Sequence, residues 1–374
     1  MIAGTNKELK LLDKASAEFA RKELAPNREE NDKFPFSPFF TPVLEKAYSL
    51  DFFHALLPEK LGGIGHGVTA LSVILYNICR EDSSLGGIIF THTAAQEILL
   101  AADAGNLIQQ ITKSDAPVNE CLIAFPTFNN PSEIENMAVF KKKDTGYALS
   151  GAIDYMVLGG LASHALLPAR YDGTNGFSFF LIDLAAQGVS ISDPIHSLGL
   201  HACPAADIRL ENVEGSLVGE ERQGAAYFEA MTDRMSVPAA AMSAGIMKGS
   251  FSEALEYSRG RFQGGREIIN WSEVKMILAD MAVKIQNSEM TISRACQAVD
   301  NTEKGWQHCS RAAAISIQEA ACDLTTWGIQ VLGGVGYMKD FGQEKRFRDA
   351  KHLQALLGLA PMRKLKFFKN LVKN

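Results

Sequence analysis

Apolar positions along the chain fall into three regimes. Over residues 6–115 they recur at helical spacing. Leu11, Leu12, Ala15, Phe19 and Ala20 share one face, and Pro26 marks the end of that helix. Leu44, Ala47, Tyr48 and Phe52 carry the pattern into the next helix, and Leu85–Leu100 is apolar on most sides, as a helix buried within a bundle is. From 118 to 220 the runs shorten. Cys121–Phe125, Met137–Phe140, Tyr147–Leu149 and Phe177–Ile182 read as strands. Between them, Asp144–Gly146 and Asp172–Gly176 carry residues that tolerate the positive φ of tight turns. From 222 helical spacing returns. Val274, Ile277, Leu278, Met281, Ile285, Ile292, Cys296 and Val299 form a long stripe, with Asn270 and Glu273 as the predicted cap pair. A second long helix runs from Gln307 to Leu332 and stops at Gly333-Gly334. The pattern predicts an α+β protein: helices over 1–117, a small β-barrel or sandwich over 118–221, and a four-helix bundle over 222–374.

Composition narrows the function classes. The 374 residues are 47% hydrophobic and 21% charged, with a net charge of −6, ordinary values for a globular chain. Lysine and arginine are dispersed, which argues against a nucleic-acid binder, and Lys141–Lys143 reads as a solvated turn flank. The six cysteines are widely spaced without a CxxC pair, so neither zinc nor a disulfide framework is expected, and the compartment is expected to be reducing. The N-terminal residues lack a signal-peptide core, and no apolar run reaches membrane-helix length. A cytoplasmic protein without membrane attachment is the expectation.

Three segments carry a resemblance: Pro58–Gly65 (PEKLGGIG), Gln330–Gly336 (QVLGGVG) and Arg348–Lys351 (RDAK). In this order, with Glu18–Phe34 ahead of them, they resemble the flavin-dependent acyl-CoA dehydrogenase family over almost the whole chain. The resemblance implies N-terminal helices, a middle β domain and a C-terminal four-helix bundle, assembled as a dimer or tetramer. It implies FAD as cofactor, with Gln330, Gly333 and Gly334 lying against the adenosine diphosphate half of an FAD held by the neighbouring subunit. Glycines let backbone approach a phosphate closely. Arg261 matches the family arginine that faces the pyrophosphate, a task suited to a fixed guanidinium fork. Where the family has Phe-Gly three residues on, this chain has Gly264-Gly265, so the aromatic wall is missing.

The flavin-ring half departs further. The family's Thr-Glu-Pro…Gly-Ser-Asp segment falls on Pro126–Glu133; Ser132 survives, but Pro126 stands where a threonine bonds the flavin. The family's Trp-Ile-Thr strand falls on Met156-Val157-Leu158. The usual catalytic glutamate falls on Leu357, before Gly358, and the alternative base position lies near Met235. Neither can accept an α-proton. Asp233 is the candidate substitute. His92 falls near the bottom of the family's acyl pocket and reads as packing rather than acid–base chemistry.

The family reaction implied by the resemblance is α,β-dehydrogenation of an acyl-CoA: a base takes the α-proton, the β-hydrogen leaves as hydride to the flavin, and electrons pass to an electron-transfer flavoprotein. The preferred reading is the base-deficient subunit of a heteromeric complex, sharing FAD with a homologous partner subunit. A homomeric dehydrogenase with a relocated base, or a monooxygenase-like flavoenzyme of the same fold, are the alternatives these residues leave.

Overall fold

The computed structural model describes residues 2, 4, 6–34, 40–112, 116–144, 146–171 and 176–372. Of the expected turns, Thr145 and residues 172–175 lie outside them. The N-terminal helices are α1 (Lys7–Phe19), α2 (Arg28–Asn31), α3 (Phe40–Ser49), α4 (Gly67–Glu81), α5 (Ser83–Ala101), α6 (Gly105–Ile111) and α7 (Val118–Cys121). α1 begins at Asn6, whose side chain accepts from the N–H groups of Glu8 and Leu9. It passes through a π turn, Ala20–Leu24, before Pro26. Asp82 caps α5 in the same way. α5 is buried almost along its whole length, which its apolar surround requires.

The strands are β1 (Ile123–Ala124), β2 (Val139–Lys142), β3 (Tyr147–Val157), β4 (His164–Tyr171), β5 (Ser178–Asp183), β6 (Val189–Ile191) and β7 (Ala205–Val218). β4 pairs with β2, β2 with β3, β3 with β7, β7 with β5, and β5 returns to β4. The sheet therefore closes on itself as a barrel, with β1 on β4 and β6 on β7. Register shifts interrupt the β3–β7 pairing between Ile153 and Met156. There Tyr155 takes a positive φ of 55°, the strain of a bulge that re-aims a side chain.

The C-terminal part contains α8 (Gly224–Gly260), the ribbon β8 (Phe262–Gln263) and β9 (Arg266–Glu267), α9 (Ser272–Asp300), α10 (Trp306–Leu332), α11 (Gln343–Leu353) and α12 (Ala360–Leu371). α8, α9 and α10 pack on one another, α11 packs on α8 and α10, and α4 lies against α8. The cap predicted at Asn270 is not formed. Residues 268–270 make a 3-10 turn, Trp271 precedes α9, and the Asn270 amide instead donates to Glu267. α10 ends as expected at Gly333, whose φ is +63°.

The RDAK segment ties these parts together. Arg348 donates to Asp32 (2.6 Å) and Glu344 (2.7 Å). Asp349 accepts from the Leu200 N–H (2.9 Å) and from Lys345 (2.7 Å), which also faces Asp82 at 3.3 Å. Lys345, Asp82 and Asp349 are all buried, so each compensates a charge that would be costly alone. The motif thus fixes α11 to α5, to the region after α2, and to the loop before β7.

Candidate functional site

One groove gathers the adenosine-side residues. Arg261 leaves the end of α8 and enters the β8–β9 ribbon, whose turn residues Gly264 and Gly265 have φ of +66° and +87°. Two successive positive φ angles suit glycine and close a two-residue hairpin. Opposite lies the end of α10. Arg261, Gln263, Trp271, Gln330 and Gly333 are among the residues lining an open groove of about 370 Å³. Arg261 is exposed and has no side-chain hydrogen bond or ion pair with another described residue. A Cβ at Gly334 would meet nothing within 4 Å, so packing inside this chain does not explain the glycine. Large apolar side chains close by in sequence are exposed: Phe262 at 63%, Met276 at 67% and Tyr337 at 73%.

Trp271 packs against Gly264. A Cβ at Gly264 would stand 2.9 Å from Trp271 Cζ2. The indole therefore occupies the space a side chain there would need. Its N–H donates to the Gln263 carbonyl at 3.2 Å, and the Arg266 guanidinium lies 4.3 Å from its ring centroid. Sequence reading missed Trp271. The one available signal was an aromatic residue just downstream of a Gly-Gly pair. The groove fits the adenosine diphosphate end of an FAD: it holds an uncommitted cation, open glycine backbone and a flat ring.

The ring side is closed. Met156, Leu158 and Thr127 have no accessible surface, and Pro126 is buried, so no water-sized void touches Met156 or Leu158. The Thr127 hydroxyl is bonded to that of Thr91 at 3.2 Å. Phe128 packs on His352, with centroids 4.6 Å apart, and on Tyr155. The Tyr155 hydroxyl meets His352 Nε2 at 3.0 Å, while His352 Nδ1 accepts from the Gly199 N–H at 3.3 Å. That acceptor role puts the ring proton on Nε2, donating to Tyr155. Burial lowers the His352 pKa and pushes that of Tyr155 up to about 12. This aromatic trio was not legible in the sequence, because the bulge at Tyr155 brings it together. An isoalloxazine does not fit among Pro126, Met156 and Leu158 as they stand. Ser132 is exposed in the turn Pro131–Glu133, apart from the groove residues, and its N–H donates to the Asn130 side chain.

The expected base position is buried. Leu357 is 2% exposed, with a φ of +67°, and its N–H donates to the Thr127 carbonyl at 2.9 Å. The cavity beside it, lined also by Thr232, Ser236 and Arg311, measures about 30 Å³, enough to admit water. Met235 is fully buried. Asp233, the candidate substitute, instead lines a separate open basin of about 900 Å³. Its carboxylate accepts from Arg311 Nε at 2.5 Å. Burial raises its pKa against the opposing pull of Arg311. With that partner it is an ion-pair member rather than a free acceptor. His92 is buried, its Nδ1 accepts from the Ile123 N–H at 3.2 Å, and burial pushes its pKa down to about 3. It serves packing and hydrogen bonding.

Comparisons with known proteins agree with this architecture. Residues 6–106 match the model of the acyl-CoA dehydrogenase N-terminal domain, and residues 222–363 that of the C-terminal domain. The chain is 28% identical to the cyclohexane-1-carbonyl-CoA dehydrogenase of Geobacter metallireducens, over 99% of this chain and 98% of that protein. It is 26% identical to the CarC subunit of the caffeyl-CoA reductase-Etf complex of Acetobacterium woodii, over 91% and 92%. The butyryl-CoA dehydrogenase structure from Megasphaera elsdenii shares the fold with a TM-score of 0.89, at 21% identity over 99% of both chains. No helix among the described residues is long and apolar enough to cross a membrane. The chain belongs to the acyl-CoA dehydrogenase family of flavoprotein oxidoreductases.

Proposed function

We propose that this chain is the base-deficient subunit of a heteromeric, FAD-dependent acyl-CoA dehydrogenase. It completes the adenosine side of an FAD held mainly by a homologous partner subunit. One asymmetry carries the reading: the groove at Arg261, Gln330 and Gly333 is open and uncommitted, while the ring side and the base position are filled by the chain's own side chains. The partner's flavin supplies the hydride acceptor for α,β-dehydrogenation of an acyl-CoA thioester. This chain's residues hold phosphate charge (Arg261) and admit close backbone approach (Gly333, Gly334). An electron-transfer flavoprotein as redox partner is supported by the relative that works as a subunit of an Etf complex. Dimeric or tetrameric assembly in the cytoplasm belongs to the same proposal.

The test is Arg261→Ala in the assembled complex. Each hydrogen bond to a charged group is worth about 1.5–3 kcal/mol. Flavin affinity should therefore fall roughly ten-fold or more, while the circular dichroism and melting of this subunit stay unchanged. Unchanged flavin content would contradict the donated half-site.

A further inference from the structure

We propose that α12 is an interfacial helix that seats this chain on a lipid bilayer bearing anionic headgroups. The site is independent of the flavin groove. One face of α12 is held to the molecule: Arg363 donates to the Gln354 carbonyl at 2.9 Å, Lys366 pairs with Glu229, and the Phe367 and His308 rings meet with centroids 5.9 Å apart. The opposite face is bare. Leu365, Phe368 and Val372, at i, i+3 and i+7, are 65%, 62% and 64% exposed, and such spacing places them on one side of the helix. Lys364 and Lys369 stand about 70° to either side of this stripe at 3.6 residues per turn, and both are exposed. Lys364 reaches Glu319 on α10, whereas Lys369 has no hydrogen bond or ion pair with another described residue.

Charge sets this helix apart. The whole chain carries a net −6, yet residues 360–374 hold five cationic side chains, Arg363, Lys364, Lys366, Lys369 and Lys373, and no Asp or Glu. Lysines beside an apolar stripe can lay their stems along it and keep their ammonium groups at headgroup level while the stripe enters the acyl boundary. The stripe itself carries no hydrogen-bonding group, so nothing on it calls for the polar-rimmed pocket of a protein partner. A fluid anionic surface meets it without one. The expectation of no membrane attachment rests on the lack of a spanning run, which an interfacial helix does not need.

The test is sedimentation of the purified protein, in its native assembly, with vesicles of phosphatidylcholine alone and of phosphatidylcholine mixed with phosphatidylglycerol. The protein should sediment with the mixed vesicles, far less with the neutral ones, and be released by high salt. Lys369→Gln should weaken binding roughly five-fold, the effect of one lysine at an anionic surface. Leu365→Asp with Phe368→Asp should abolish binding and leave the circular dichroism unchanged, because both side chains are exposed. Phe368→Trp should retain binding, and its added emission should shift to the blue on mixed vesicles. Absence of sedimentation with mixed vesicles, or equal sedimentation with both kinds, overturns the proposal. A smaller assembly mass for the aspartate pair, read by light scattering, also overturns it, since the stripe is then covered by another copy of the chain.

Discussion

The backbone N–H of Leu357 donates to the carbonyl of Thr127 at 2.9 Å, joining the end of the RDAK segment to the segment that would carry flavin contacts. The bond ties the middle β region to the loop after α11. The leucine side chain then fills the position of the base. On the proposed reading, a buried leucine stands where a base is expected, beside a cavity lined by Thr232, Ser236 and Arg311.

Leu357 should consequently behave as a core residue. Leu357→Ala removes buried volume at a site the backbone bond holds in place, so it should destabilise the chain by about 2–5 kcal/mol. Chemical denaturation should show the drop, and flavin content of the assembly should be unaffected. A variant as stable as the original but with altered flavin content would contradict the closed-site account.

A second prediction concerns pH. His201 Nδ1 faces the Asp32 carbonyl at 2.8 Å and Nε2 faces the Ser197 carbonyl at 3.0 Å. Two acceptors require two ring protons, so the imidazole is held in its charged form. The hydrogen bond to Asp32 raises the His201 pKa, with burial opposing it. At Asp32 burial also opposes charge, but hydrogen bonds from His201 and Arg348 outweigh it and hold the carboxyl well below the usual range. A raised histidine pKa contributes stability that is complete below the unfolded value of about 6.5 and is lost as pH rises through the folded value. The melting temperature should fall as pH rises above about 6.5, and His201→Gln should flatten that slope. An unchanged slope in the variant would assign the effect to other groups.

Assembly provides a third. Met276, Val283 and Met290 recur at seven-residue intervals on α9 and are 67%, 59% and 55% exposed. A stripe of this kind on a bundle helix is suited to packing against another chain. Light scattering should give a dimer or tetramer. Met276→Asp with Val283→Asp should shift it toward monomer with little change in secondary structure, because neither side chain is in the core. A monodisperse monomer of the unaltered chain at micromolar concentration would contradict the assembly.

Much of the fold was legible because its signals are local. The stripe on α9 and the glycine stop after α10 are read within a few residues of themselves. A small barrel or sandwich was expected, but which strands close it was not legible, since the pairings of β7 with β3 and β5 join segments distant in sequence. The cap at Asn270 failed for a local reason: the side chain bonds to Glu267, three residues before it. At the site, Arg261, Gln330 and Gly333 could be placed by resemblance. Trp271 could not, because the Gly264-Gly265 pair looked like a simple loss until the indole was seen against it. The packing of Phe128, Tyr155 and His352 depends on a bulge and a positive φ at a tyrosine, which no spacing rule announces.

The central claim is that this chain holds no flavin ring of its own. The most direct measurement is the ultraviolet–visible spectrum of the chain purified alone, set beside that of the chain co-expressed with an intact family member. The account predicts no flavin absorbance in the chain alone, negligible dehydrogenation of saturated acyl-CoAs by it, and stoichiometric flavin in the co-purified complex. A full flavin spectrum from the chain alone, with a ring packed against Pro126, Met156 and Leu158, would contradict it.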